Sequence, residues 1–219
     1  MLGQKMVIAA AMLGLGSLAG GVALAQEVGE EAGLYVRGYG GISTLADTEI
    51  RVAGLEASGS FSSGLLVGGA VGYDYAGPWR AELEYTYRSG EVGRLPAGFA
   101  RDGDYASTAI MVNGLYSFGE EGRLRPYLGL GIGVTREVDF DLTSGPAAPP
   151  PFAVGEYSTS GRLAYQVLTG AELAFSEGWS GFGEIRAFAI DSPRLAGSGR
   201  TLTADYQTID FLVGVSRRF

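Results

Sequence analysis

The 219-residue sequence contains no cysteine and no histidine. Without cysteine there is no disulfide framework, no thiolate nucleophile and no cysteine zinc site. Without histidine the chain lacks the commonest general base and the commonest metal ligand. Lysine occurs once, at Lys5, so every other side-chain cation is an arginine. Charged residues are only 18% of the chain and the formal net charge is −8. An acidic chain with pI near 4.6 is poorly matched to a phosphate backbone, and no nucleic-acid partner is expected. Glycine is what the sequence has in excess, with 37 residues and no collagen-like period.

Long apolar runs are confined to the N-terminus. MLGQK carries a positive charge, the stretch from Met6 to Ala25 is apolar and small, and Ala23-Leu24-Ala25 precedes Gln26. This is the pattern of a cleaved export signal. A membrane-spanning helix would need a run of about this length, but position, glycine content and the cleavage site favour the signal. Residues 1–25 are therefore expected to be a signal peptide, and residues 26–219 a single β-barrel domain.

Three short turn signals are bracketed by aromatics: YAGPW (75–79), FGEEGR (118–123) and FSEGW (175–179). Longer polar stretches lie between them, at about 44–60, 89–104, 138–157 and 191–204. The third holds SGPAAPPPF (144–152), which fits neither helix nor central strand. Long and short connections thus alternate and separate eight strands, at roughly 33–43, 61–75, 79–88, 105–118, 123–137, 157–175, 179–190 and 205–219. With antiparallel pairing, all short turns and both termini fall on one side and all long loops on the other.

Each strand has two faces. In WRAELEYTYR (79–88), Trp79, Ala81, Leu83, Tyr85 and Tyr87 alternate with Arg80, Glu82, Glu84, Thr86 and Arg88. RPYLGLGIGVT (125–135) and LAYQVLTGAEL (163–173) alternate likewise. A soluble sandwich turns its apolar face inward, whereas a membrane barrel turns it to lipid. Alternation alone does not separate the two; four further features do. The apolar rows are about ten residues long, the length of a tilted span. The aromatics Tyr73, Tyr75, Trp79, Tyr116, Phe118, Phe175 and Trp179 collect beside the short turns as a periplasmic interfacial girdle. An export signal is present. Glycines fall on the inner face, where a narrow barrel needs space. The expected fold is all-β, an eight-stranded antiparallel up-and-down transmembrane barrel. It is placed in the bacterial outer membrane, with loops extracellular and both termini periplasmic.

The chain ends on FLVGVSRRF (211–219), an alternating strand that runs to its last residue, Phe219. The last strand must close onto the first, or an open edge is left in lipid. A terminal Phe after such a strand is similar to the sorting signal read by the barrel-assembly machinery. Phe219 is accordingly the expected C-terminal assembly signal.

This layout resembles the OmpA-type, outer-membrane-protein beta-barrel family of small Gram-negative surface proteins. The resemblance is carried by GLYVRGYGG (33–41), VGYDYAGPWRAELEYTY (71–87), RPYLGLGIG (125–133) and FLVGVSRRF, over essentially the whole mature chain. No peptidoglycan-binding domain is expected after the barrel, so the resemblance does not imply wall anchoring.

The interior of eight strands is just filled by side chains. The expected luminal charges are Arg37, Arg80, Glu82, Glu84, Arg88, Arg125, Arg162, Glu172, Glu184, Arg186 and Asp210. Mixed sign in so narrow a space points to a salt-bridged plug, because an unpaired buried charge is costly. A gated conduit in which the pairs rearrange is the alternative. Serine or aspartate hydrolysis generally uses histidine, which is absent, and arginines on the same face give Glu82 and Glu84 a structural partner. No catalytic, cofactor or metal residue is assigned. The loops carry Asp47, Glu49, Glu56, Asp102, Asp104, Asp139, Asp141, Glu156, Asp191 and Asp205. DGD (102–104) and DFD (139–141) lack the remaining ligands of a recognised calcium loop. The expected role is non-enzymatic, structural and surface-interacting, with lipid and lipopolysaccharide, the assembly machinery and a loop-bound extracellular ligand as partners. A narrow channel for small solutes is the second reading.

Overall fold

The computed structural model describes residues 32–45, 48–52, 55–59, 63–75, 77–92, 102–118, 123–143, 155–191, 194–197, 200–204 and 206–219. The expected signal peptide, the SGPAAPPPF segment, Asp47 and Asp205 lie outside the described residues. Among the described residues every regular element is a strand: β1 (Gly33–Leu45), β2 (Thr48–Val52), β3 (Leu55–Gly59), β4 (Gly64–Asp74), β5 (Trp79–Val92), β6 (Asp102–Ser117), β7 (Leu124–Thr143), β8 (Gly155–Thr159), β9 (Leu163–Ser176), β10 (Trp179–Ile190), β11 (Arg194–Gly197), β12 (Arg200–Ala204) and β13 (Tyr206–Arg218).

Eight of these close a ring. Its order is β1-β4-β5-β6-β7-β9-β10-β13, and every neighbouring pair is antiparallel. The seam between β13 and β1 runs from Tyr35 opposite Arg218 to Leu45 opposite Thr208. It reaches the end of the chain, where the Phe219 amide donates to the Leu34 carbonyl at 3.0 Å. No edge is left in the ring, which an apolar surround requires.

The two faces follow the sequence period. Outward rows include Leu83, Leu130, Ile132, Val213 and Val215, all exposed, while Glu84, Arg88, Glu184 and Asp210, on the alternate rows, are buried inside. Large inward rings need inward glycines. A Cβ at Gly72 would stand 2.2 Å from the Tyr35 ring, and one at Gly131 would stand 2.1 Å from Asn113 Oδ1.

The strands differ from the sequence expectation chiefly above the ring. β5, β6 and β7 extend past Arg88, Tyr105 and Glu137 into stretches expected to be loop. The single strand expected at 157–175 is two strands, β8 and β9. Gly161, at φ 68°, breaks them in a left-handed conformation that favours glycine. Thr135 holds the break: its carbonyl accepts from the Gly161 amide and its amide donates to the Arg162 carbonyl, both at 2.8 Å. Just beyond Thr135, β7 carries a bulge against β6 and changes partner from β9 to β8. The remaining short strands continue that wall in the order β8-β11-β12-β2-β3. The long connections are therefore partly stitched into sheet.

Candidate functional site in the barrel lumen

Strand β5 organises the interior. Its inward residues climb from the short-turn end, and each meets a different partner. Arg80 Nη1 donates to Glu172 Oε2 at 2.6 Å, and Ser180 donates to the other oxygen of Glu172. Glu82 Oε1 accepts from Tyr35 OH at 2.8 Å and from Arg37 Nη1 at 2.9 Å. Glu84 accepts from Arg186 Nη1 at 2.7 Å, Thr86 at 2.8 Å and Asn113 at 3.0 Å. Thr86 bonds Tyr39 OH at 2.7 Å. Arg88 donates to Asp210, whose other oxygen accepts from Ser43 at 2.6 Å.

Cross-links join these layers. Tyr127 OH accepts from Arg37 Nη2 and donates to Glu184 Oε2, both at 2.8 Å. Arg186 Nε donates to Glu184 Oε1 at 2.8 Å, so one guanidinium spans Glu84 and Glu184. Gln166 donates to Asn113 Oδ1 at 2.7 Å. Rings cover the guanidinium planes: Arg37 lies 3.5 Å from the Phe182 centroid and Arg88 lies 4.0 Å from that of Phe188.

At the short-turn end Asp74 is fully buried, accepts from Arg218, and lies 3.7 Å from Arg125 Nη1. Among the described residues, six arginines (37, 80, 88, 125, 186, 218) thus meet six carboxylates (74, 82, 84, 172, 184, 210). Opposite charges in equal number let the set be buried without a net interior charge.

The structure brings Arg37, Arg80, Glu82, Glu84, Arg88, Arg125, Glu172, Glu184, Arg186 and Asp210 into this one interior. Arg162 is placed elsewhere: it sits in the break between β8 and β9, and its Nε donates to Thr159 at 3.3 Å. Sequence reasoning missed Asp74 and Arg218. The period of two signals both, because Asp74 lies between outward Tyr73 and Tyr75, and Arg218 precedes outward Phe219. Alternation put Tyr127 and Gln166 on the inward rows without giving them a role, and Tyr35, Tyr39 and Asn113 were not singled out; all five bond within the network.

Tyr73, Tyr75, Trp79, Tyr116, Phe118, Phe175 and Trp179 are all exposed at the short-turn end. Several touch edge to face, with centroids 5.0 Å apart for Tyr73–Tyr75 and for Trp79–Tyr116. Phe219 stands in the same belt, where Arg217 lies 5.3 Å from the Trp179 ring and 6.0 Å from the Phe219 ring.

Above the lumen, Glu91, Asp104, Asp141 and Glu156 stand directly opposite one another across β5, β6, β7 and β8, and all four are exposed. Among the described residues no group of acids is placed to hold a metal ion.

An apolar outer belt, an aromatic ring at one end and a charged, closed interior define a transmembrane β-barrel. The outer membrane protein beta-barrel domain family matches residues 8–219, and the chain belongs to that family of bacterial outer-membrane proteins. Neisserial surface protein A matches in structure with a TM-score of 0.54 at 17% identity, over 87% of this chain and 100% of that one. The outer membrane protein OprG from Pseudomonas aeruginosa also matches at 0.54, with 16% identity, over 87% and 98%. At these identities the likeness is one of fold. No curated protein matches the sequence.

Proposed function

We propose that this barrel is a non-enzymatic envelope protein whose lumen is a structural plug and whose working surface is the strand-stitched set of long connections. One observation carries the reading. The charges inside the ring are linked to one another across the barrel, from Arg80–Glu172 through Arg37–Glu82, Arg37–Tyr127–Glu184 and Arg186–Glu84 to Arg88–Asp210. An acid–base catalyst needs a carboxyl group left available to a substrate. Here each luminal carboxylate is engaged by arginine and most also by a hydroxyl or amide. The orientation that goes with this reading places the long connections outside the cell and the aromatic belt and Phe219 on the periplasmic side. Lipopolysaccharide and an extracellular ligand then meet the upper surface, and the assembly machinery meets the C-terminal strand.

A narrow channel is the second reading, and buried polar atoms favour it. Arg37 Nε, Arg80 Nε and Nη2, Gln166 Oε1 and Thr208 Oγ1 have no hydrogen-bond partner among the described residues. Such atoms call for water.

Planar-bilayer recording of the purified barrel separates the two. The plug gives little or no conductance, and steady conductance overturns it. Protease cleavage of the long connections in intact cells tests the orientation independently.

A further inference from the structure

The last two arginines leave β13 on opposite faces. Arg217 points outward, where its Nη1 donates to the Glu177 carbonyl at 2.8 Å and its guanidinium lies over the Trp179 ring. Arg218 points inward and donates to Asp74 on β4. The backbone is held as well: the Arg218 amide donates to the Gly178 carbonyl at 2.8 Å, and the Phe219 amide donates to Leu34. The turn between β9 and β10 is shaped to receive this tail. Gly178 has a φ of 66°, and a Cβ there would stand 2.8 Å from Arg217 Nη1 and 2.9 Å from the Arg218 carbonyl oxygen.

Arg218 and Asp74 are 144 residues apart in sequence and do not lie on neighbouring strands. Strand β1 runs between them. Tyr35 stands opposite Arg218 on one side of it, and Gly33 stands opposite Asp74 on the other. The Arg218 stem crosses β1 at its glycine, where a Cβ would lie 4.0 Å from Arg218 Cγ and 3.1 Å from the Phe219 carbonyl oxygen. Asp74 is fully buried, and Arg125 Nη1 lies 3.7 Å from the oxygen that accepts from Arg218.

We propose that Arg218 and Asp74 form a closure latch, a contact made only after β13 has paired with β1, which then holds the finished ring against reopening at its seam. The order follows from the topology. Asp74 ends β4 beside the short turn to β5, a local hairpin. The β13–β1 pairing joins the two ends of the chain and closes its longest loop. Arg218 reaches Asp74 only with β1 seated between them, so this bond comes last. Reopening the seam would withdraw one cation from a buried carboxylate, which is costly. Arg125 stays beside Asp74 in the meantime, so the carboxylate is not stranded before closure. A contact absent from the folding transition state slows unfolding and leaves the folding rate alone. The latch acts on the closed ring, whereas the sorting role of Phe219 concerns delivery to the membrane.

Folding and unfolding rates of the purified barrel in phosphatidylcholine vesicles test the latch. Arg218→Gln should unfold several-fold faster and fold at the parental rate. Asp74→Asn should do the same, and the double variant should unfold no faster than the faster single one. Arg123→Gln removes a charge from an exposed residue on the same rim and should leave both rates unchanged. Amide exchange in Arg218→Gln should quicken across the β13–β1 seam and stay parental in the β6–β7 pair. Unchanged unfolding in Arg218→Gln overturns the latch. Slower folding would put the contact in the transition state, and additive effects in the double variant would uncouple the two residues; either result also overturns it. Parental rates in vesicles with unfolded Arg218→Gln accumulating in cells would assign Arg218 to the sorting signal and overturn the latch as well. The sorting role of Phe219 itself is read separately, on Phe219→Ala.

Discussion

Arg88 places two donors on one oxygen of Asp210: Nε lies 3.0 Å and Nη2 lies 2.8 Å from Oδ2, and neither side chain has any solvent exposure. The pair joins β5 to β13 across the interior, with β4 and β1 between them around the ring. Removing one partner strands the other charge in a buried site. Arg88→Ala should therefore destabilise the barrel by about 3–5 kcal/mol. Replacing both, as Arg88→Met with Asp210→Leu, removes both desolvated charges and should recover part of that loss. Urea unfolding in lipid vesicles, run as a double-mutant cycle, measures the coupling. Strictly additive losses would show that the pair contributes no coupling.

Arg186 is placed differently, with Nη1 at 2.7 Å from Glu84 and Nε at 2.8 Å from Glu184. Arg186→Ala leaves two facing carboxylates without their shared cation. It should cost several kcal/mol, about 3–5 if the site stays dry. In planar bilayers it should also introduce a leak absent from the unmutated barrel. Adding Glu184→Gln should restore part of the stability and reduce the leak. A leak equally large before and after the Arg186 change would remove this residue from the plug.

Alternation made the ring legible before any coordinates. The inward position of Arg80, Glu82, Glu84 and Arg88 follows from period two along WRAELEYTYR alone. Their partners do not, because pairing depends on the relative height of strands that are not neighbours in sequence. Sequence reading put Glu82 and Glu84 on one face with Arg80 and Arg88 and gave them arginine partners without saying which. The register sends Glu82 to Arg37 and Tyr35 and leaves Glu84 on Arg186. Arg80, on the same face as both, reaches past them to Glu172. The upper wall was illegible for another reason. Val138–Leu142 reads as loop because charge interrupts it, but it is held as strand by pairing on both sides, with β6 and β8. Gly161, whose φ of 68° ends one strand before the next begins, had no distinguishing neighbour in sequence.

Leu130 faces outward and is 64% exposed. A charge there enters hydrocarbon. Leu130→Arg should destabilise folding by about 2–4 kcal/mol near the bilayer midplane. Its inward neighbour Gly129 fails for a different reason, since a new Cβ would lie 2.6 Å from Leu115 Cδ2 and 2.7 Å from Leu168 Cδ1. Gly129→Ser should cost about 1–3 kcal/mol through overpacking. Gly114→Ala, outward with open space around it, should stay within about 0.5 kcal/mol of the parent. Vesicle unfolding titrations rank the three. An arginine tolerated as well as the Gly114 change would mean that Leu130 does not face lipid.

Phe219 projects into the aromatic belt while its amide completes the β13–β1 seam. Side chain and backbone can be separated, because Phe219→Ala keeps the seam hydrogen bond. If the ring is read during assembly, this variant should accumulate as unfolded chain in the periplasm at native expression, and its purified form should refold in vesicles at nearly the parental rate. Heat-modifiable migration of outer-membrane extracts checks the first outcome. Normal amounts of folded barrel in the membrane would remove the sorting role.

Asp139 lies beyond the bulge in β7, in the wall above the lipid belt. Partial burial, and then the negative charges of Glu137 and Asp141, raise its pKa above the ordinary 3.8. The sign follows directly. A carboxyl whose folded pKa is raised binds its proton more tightly in the folded state, so ionising it opposes folding. That opposition is complete above the folded pKa, fades as pH falls through it, and is gone below the unfolded value. The β7–β8 pairing should therefore be firmer in mild acid than at pH 7, the reverse of what a salt-bridged carboxylate gives. Asp139→Asn should reproduce the firmer state at neutral pH and add nothing once Asp139 itself is protonated. Amide protection factors across Val138–Leu142, taken relative to intrinsic exchange at each pH, report this locally. Protection that falls in acid in the parent, or that is unchanged at neutral pH in Asp139→Asn, would show that these three acids do not strain the upper wall.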